Sequence, residues 1–334
     1  LLKLIQLNLI YGNHLTIKRK EADMILCCGE VLIDFIPVPG EQAYRPFPGG
    51  SVLNIAVGLG RMQAPVGLLS RLSTDLFGDL LGDYLEKNNV NLDYCPRIDG
   101  PTTLAFVSLP DDSPQEARYA FYATGAVDRC LTTDDLPVQL KQEITAIHFG
   151  SISLVLEPGA TALENLMARE SRQRILTLDP NVRPGIIKDK DQFRQKFLKW
   201  VSLVDILRLS VMDFEYLYPD QKIEHLLQGW FDHGINLVIL TKGADGVSGY
   251  LKTGGEVYVP AQKIQVKDTL GAGDSFFSAA LAWLYENDLL KNRKALMRIT
   301  QTQLIDCLAF ASRAAAINCS REGADPPYRE EMGD

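Results

Sequence analysis

The chain has 334 residues, 46% of them apolar and 23% charged, a balance that excludes an intrinsically disordered or fibrous protein. Its net charge of -8 has the wrong sign for general attraction to nucleic acid or an anionic membrane, so any phosphate group must be bound locally. The six cysteines show neither paired metal-ligand spacing nor the density of a disulfide scaffold, which points to a reducing, cytoplasmic setting.

Leu1 to Ile10 is apolar but short and interrupted by Lys3, Gln6 and Asn8, and the basic run Lys18-Arg19-Lys20 follows it. That order suits neither a signal peptide nor a membrane span. Residues 1–23 are therefore expected to be an extension outside the catalytic fold. Met24 to Phe35, rich in Ile, Leu, Val and Cys, reads as one strand buried on both faces and ending in Asp34. Further apolar runs at Ala146–Phe149, Ile175–Leu178, Val204–Leu207 and Leu237–Leu240 read as strands, each preceded by a longer segment with helical spacing, such as Ala160–Glu170, Asp191–Val201 and Ile223–His233. This alternation predicts βαβ units and a mainly parallel sheet.

Two regions break it. Residues 36–50 carry no helix, and Leu104–Leu109 with Arg118–Tyr122 reads as a hairpin around Asp111-Asp112-Ser113-Pro114. Strands without helices inserted early in an α/β chain predict a small lid formed by about 35–50 and 102–123. No repeat or low-complexity linker divides the chain, so residues 24–330 are expected to form one domain, with 331–334 a tail. Ligands of open parallel sheets lie beyond the carboxyl ends of the strands. Attention therefore falls on Asp34, Gly150-Ser151, Asp179 to Arg183, Ser210 and Thr241-Lys242-Gly243.

The strongest local signal is Asp268-Thr269-Leu270-Gly271-Ala272-Gly273-Asp274, followed by an apolar helical pattern from Ser275 to Leu284. Small residues admit a ligand close to the backbone, and the N–H groups at a helix start attract phosphate oxygens. Taken alone, these residues also suit an ordinary tight turn with Asp274 as a helix cap. The segment closely resembles the C-terminal signature of the ribokinase-like (PfkB) sugar kinases, and Gly49-Gly50-Ser51-Val52-Leu53-Asn54-Ile55-Ala56 resembles their N-terminal signature. The second match departs at Arg61-Met62-Gln63 and at Ser73, positions that touch packing more than chemistry. The resemblance runs in order from Met24 to Tyr328 and comes nearest to fructokinases, through Gly29–Pro37, Thr103–Val107 and Leu178–Pro184.

It implies a three-layer α/β/α domain with a mainly parallel sheet and a β-sheet lid. It also implies ATP-dependent transfer of the γ-phosphoryl group to the C6 hydroxyl of fructose, with magnesium carried on the nucleotide. Asp274 would be the base, the amides of Gly271, Ala272 and Gly273 would hold developing charge, and Arg183 would lie near the phosphoryl group or sugar. Asp34, Gly49, Gly50, Asn54 and Phe106 would contact the sugar. Thr241, Gly243 and Gly246 would belong to the nucleotide loop, although a plain strand-to-turn connection fits those glycines equally. Ser210 and Asp213 fall where the family orders magnesium and its waters, with Glu215 two residues on; the acidic residues also suit a helix's first turn. Asp268 and Thr269 match the family's monovalent-cation position, which implies potassium. The family's lid often forms a homodimer interface, yet Ala123 replaces an Arg common near its end. Kinases acting on 2-keto-3-deoxygluconate, ribose or nucleosides share both signatures. A non-catalytic sugar or nucleotide sensor is the reading of a different class, opposed by the intact Gly271, Gly273 and Asp274. A dinucleotide fold is disfavoured because Gly58-Leu59-Gly60 lacks the full glycine fingerprint and a strand directly before it.

Overall fold

The computed structural model describes residues 23–38, 40–108 and 118–333. The expectation for residues 1–23 and the turn at Asp111–Pro114 therefore lie outside the described residues, apart from Asp23.

The strands are β1 Met24–Cys28, β2 Leu32–Pro37, β3 Tyr44–Gly49, β4 Val66–Leu69, β5 Leu72–Ser73, β6 Val90–Tyr94, β7 Arg97–Ile98, β8 Thr103–Ser108 and β9 Arg118–Tyr122. They continue as β10 Ile144–Gly150, β11 Ile175–Asp179, β12 Ile206–Ser210, β13 Leu237–Thr241, β14 Val247–Leu251 and β15 Glu256–Val259. The helices are α1 Ser51–Arg61, α2 Leu76–Lys87, α3 Gly159–Glu170, α4 Lys190–Val201, α5 Val211–Leu217, α6 Glu224–His233, α7 Ala272–Glu286, α8 Arg293–Leu296 and α9 Gln301–Cys319.

One sheet of nine strands runs β15-β14-β13-β12-β11-β10-β1-β4-β6. It is parallel from β6 to β13 and antiparallel only at its β14 and β15 end. Alternate side chains of each central strand enter opposite cores. Ile25, Cys27, Ala146, Ile175 and Ile206 pack with α1, α7 and α9. Leu26, Cys28, Ile147, Leu176 and Leu207 pack with α3, α4, α5 and α6. Burial on both faces is why these strands read as unbroken apolar runs. The departure Arg61-Met62-Gln63 is a packing feature: Arg61 donates to Asn88 Oδ1 (2.7 Å) and to the Pro326 carbonyl (2.5 Å). The final turn, Arg329–Met332, packs too, with Met332 buried and its carbonyl bonded by Arg313, so the chain is folded up to that point. Among the described residues no helix is long and apolar enough to cross a membrane.

The expected single strand Met24–Phe35 is two strands in two sheets. The chain turns at Gly29, φ 154°, where an added side chain would strike Ser153 and Val52. β2 then joins a four-stranded sheet, β3-β2-β8-β9, in which β2 and β8 are parallel and the other pairs antiparallel. This sheet is the expected lid, begun three residues earlier, and β8 with β9 is the expected hairpin. Asp34 accordingly projects from the middle of a lid strand, not from the end of a strand in the main sheet. Two smaller differences remain. The strand expected at Val204–Leu207 is Ile206–Ser210, because Asp205 is withdrawn to accept from Leu176 N (2.9 Å) and Asn236 Nδ2 (3.2 Å). β10 follows loop and a short 3-10 turn rather than a helix.

Candidate active site

The carboxyl ends of the parallel strands, the start of α1 and the start of α7 meet at Asp274. Gly271 takes left-handed angles (φ 71°, ψ 4°) and directs the chain into α7, where Asp274 stands in the first turn. The loop is braced from α9: buried Asn318 donates to the Leu270 carbonyl (2.8 Å) and accepts from Ser275 Oγ (2.9 Å). Asp268 holds it from the other side, accepting from Leu270 N (2.9 Å) and Gly323 N (2.8 Å). Ala272 N–H closes a turn onto the Thr269 carbonyl (3.2 Å). Of the three amides expected to hold charge, Gly271 and Gly273 have no protein partner among the described residues and Ala272 has one.

Asp274 is 6% exposed and densely hydrogen-bonded. Ser51 Oγ donates to its Oδ1 (2.6 Å), and Asn181 Nδ2 donates to the same oxygen (3.3 Å) and to Ser51 Oγ (2.8 Å). Asn54 Nδ2 donates to Oδ2 (2.8 Å). Gly50, as N-cap of α1, points Ser51 and Asn54 at this carboxylate. Asn181 reaches it with a left-handed backbone (φ 39°), an uncommon conformation for a residue with a side chain.

Asp34 faces the same space. A side chain at Gly49 would lie 2.0 Å from Asp34 Oδ2, so the glycine is what leaves room for the carboxylate. The Asp34 carboxylate has no hydrogen-bond partner among the described residues although only 8% of the residue is exposed. Burial pushes it up to about 7, with the Arg183 guanidinium opposing that rise and the Asp274 charge adding to it. Arg183 lies over the Tyr119 ring of β9 at 5.6 Å. Phe106 is placed differently from expectation. Register pairs Asp34 with Ala105 and Phe35 with Phe106, so Phe106 lies on the opposite face of the lid from Asp34. It stacks on Phe35 there (4.7 Å, 10°) and meets Tyr44 and Tyr122 edge-on.

On the other side of the α7 loop, Thr241 Oγ1 accepts from Arg208 Nη2 (2.6 Å). Gly243 and Gly246 bracket a single 3-10 turn, and Gly246 is hemmed in by the Val259 carbonyl, which explains that glycine without a ligand. Ser210 and Asp213 form a capping box at the start of α5: Asp213 Oδ2 accepts from Ser210 N and Oγ, and Oδ1 from Val182 N (2.7 Å). Both oxygens are thus engaged by the protein, and Glu215 points to solvent. No three acidic, His or Cys side chains among the described residues are grouped to hold an ion. The unpaired amides fit nucleotide phosphates, and a magnesium ion would be held by those phosphates and water rather than by carboxylates. Gly58 and Gly60 lie inside α1, not in a phosphate loop.

Sequence reasoning passed over Ser51, Asn181, Tyr119 and Arg208. The first two stand inside recognised motifs, and Arg208 is a charged residue between the buried apolar Leu207 and Leu209. Several buried acids share one consequence: burial lifts Glu30 to about 7 and Asp128 to about 6, beside Asp34 at about 7. An acid raised on folding contributes stability that is present below its unfolded pKa, near 4, and lost as pH rises through the folded value. Buried His148, lowered to about 3, works in the opposite sense but stands alone against these acids, so thermal melting in the absence of ligands should occur at a higher temperature at pH 5 than at pH 8. The reverse order would show that these carboxyls are not buried as described.

The sequence profile of pfkB family carbohydrate kinases matches residues 22–331. A fructokinase of Rhizobium leguminosarum bv. trifolii is 39% identical over 81% of this chain and 82% of its own length. A probable chloroplastic fructokinase-6 of Arabidopsis thaliana is 31% identical over 94% and 82%. The crystal structure of a Xylella fastidiosa fructokinase with bound ATP superposes with a TM-score of 0.85 at 27% identity, covering 93% of this chain and 97% of that one. An α/β domain of this topology, a carboxylate at the start of α7 and a match over nearly the whole described chain lead to one conclusion: the chain belongs to the pfkB family of carbohydrate kinases.

Proposed function

We propose that the protein phosphorylates D-fructose at its C6 hydroxyl, using ATP. The observation that carries this reading is the arrangement around Asp274: a carboxylate at a helix start with unpaired amides beside it, and a second, unpartnered carboxylate, Asp34, across the same space. Each carboxylate oxygen can accept two hydrogen bonds. Oδ1 of Asp274 already takes Ser51 and Asn181, whereas Oδ2 takes only Asn54. The open position on Oδ2 is where the sugar hydroxyl places its proton. As that proton moves to Oδ2, the alkoxide oxygen bonds the γ-phosphorus and the bond to the ADP oxygen breaks. Charge on the transferred oxygens is met by the Gly271 and Gly273 amides, and Arg183 supplies a cation from the sugar side. Magnesium carried on the nucleotide would supply charge neutralisation for its phosphates. Asp34 and Asn54 hold the other sugar hydroxyls, and the relatives' names favour fructose among sugars.

The experiment is a panel of fructose, ribose, 2-keto-3-deoxygluconate and nucleosides with ATP and magnesium, read as kcat/KM and by the position of the phosphate. Fructose should lead and give the 6-phosphate. Failure of every sugar to accept phosphate would leave the sensor reading in its place. A monovalent-cation requirement rests on the resemblance at Asp268 and Thr269 alone, since both Asp268 oxygens already accept from the Leu270 and Gly323 amides; replacing potassium by tetramethylammonium tests it and should lower turnover. The exposed lid aromatics Tyr44 and Tyr122, 49% and 65% exposed, suit docking of a second copy of the chain. The cysteines are all unpaired, in keeping with a cytoplasmic enzyme.

A further inference from the structure

Arg208 lies on β12 among fully buried apolar neighbours and is itself only 5% exposed. Stability does not explain a guanidinium there, since a buried ion pair is often no better than apolar side chains of the same volume. Its contacts are more informative. Nη1 donates to Asp179 Oδ2 (2.7 Å) and Nη2 to Thr241 Oγ1 (2.6 Å), while Nε has no partner among the described residues. A β-carbon on Gly273 would lie 2.8 Å from Nη2 and 3.0 Å from Nη1. The guanidinium therefore occupies the space directly against the second residue of α7, whose amide is unpaired. One cation touches three segments of the site: Asp179, which opens the turn carrying Asn181 to Asp274; Thr241 at the end of β13; and Gly273 in the amide cluster.

We propose that Arg208 is a positioning residue for phosphoryl transfer, seating the Gly273 amide and tying the base side of the site to the Thr241 loop with a positive charge beneath the transferred group. This rests on the reading of the α7 amides as the phosphoryl site. A counter-ion to Asp179 accounts for one of its contacts only; the Thr241 bond and the close approach to Gly273 are left over. A planar fork is what the geometry uses, because two donors must diverge to partners on neighbouring strands while the flat group lies against Gly273.

The test compares wild type, R208M, the double variant D179N/R208M and R208K, in the full chain with fructose, ATP and magnesium. R208M strands the Asp179 carboxylate in the core and should melt at a lower temperature. The double variant removes both charges, keeps an acceptor for Asn181 N–H, and should regain most of the lost melting temperature. Its kcat should nevertheless stay about tenfold or more below wild type, with KM for fructose within about twofold, because Asp34 and Asn54 are untouched. A double variant with wild-type kcat and melting temperature overturns the proposal and leaves Arg208 as a counter-ion. If the double variant does not fold, R208K decides. Lysine keeps the charge but not the fork, so a folded R208K with wild-type kcat overturns the proposal and a tenfold loss at unchanged melting temperature supports it. A wild-type protein that transfers phosphate to no sugar sinks the site reading and this proposal together, an outcome distinct from the others.

Discussion

Asp274→Asn should lower kcat by about two to four orders of magnitude, the range for loss of a general base, while the protein stays folded. The substitution preserves shape and removes the ability to take a proton. Its side-chain oxygen can still accept from Ser51 and Asn181 at the Oδ1 position. The new NH2 group then faces Asn54 Nδ2, which lies 2.8 Å from Oδ2 in the native protein. Two donors facing one another would cost about 1–3 kcal/mol if nothing moved, but an amide flip of Asn54 presents an oxygen instead. The melting temperature should therefore change by only a few degrees. ATP should still bind, because the Gly271 and Gly273 amides do not depend on the charge of residue 274. A split of that kind, with turnover lost but fold and nucleotide binding kept, identifies a group acting in the chemical step. Turnover within tenfold of wild type would remove Asp274 as the base.

The fold was largely legible because central strands such as β11 are buried on both faces and helices such as α4 on one. Ile175–Leu178 and Asp191–Val201 were located to within a residue by periodicity alone. Periodicity could not show that Met24–Phe35 belongs to two sheets, since both halves are apolar and the break is a close approach of Gly29 to Val52 and Ser153, residues distant in sequence. Phe106 failed for a related reason. Its face is decided by the pairing of β8 with β2, and one step of register separates it from Ala105, which shares a face with Asp34. The site was legible where one motif carried it, as in the α7 loop and at Asn54. It was hidden where a side chain reaches across strands. Asn181 and Ser51 meet 130 residues apart, and Arg208 draws its meaning from Asp179, Thr241 and Gly273, none of them near it in the chain.

The unpartnered carboxylate of Asp34 sets the second large effect. Two charge-assisted hydrogen bonds from sugar hydroxyls are worth about 1.5–3 kcal/mol each, so Asp34→Asn should lower kcat/KM for fructose by about 10²–10⁴-fold. The pH dependence follows from the same group. Burial raises the Asp34 carboxyl to about 7, against the pull of Arg183 and with the push of Asp274. Only the ionised form accepts from both hydroxyls, so wild-type kcat/KM for fructose should climb as pH rises through about 7 and level off above it. The Asn variant should lack that component of the climb. Stability should move the other way. The stability that Asp34 contributes is complete below its unfolded pKa and is lost as pH rises through the folded value. Without sugar, Asp34→Asn should therefore melt above wild type at pH 8 and close to it at pH 5. Added fructose should then stabilise wild type far more than the variant, because sugar hydroxyls replace the water this carboxylate gave up on folding. A variant that keeps wild-type kcat/KM would show that the sugar does not sit on Asp34, whereas a wild-type profile flat from pH 6 to 8 would show only that this carboxyl does not titrate near 7 in the free enzyme.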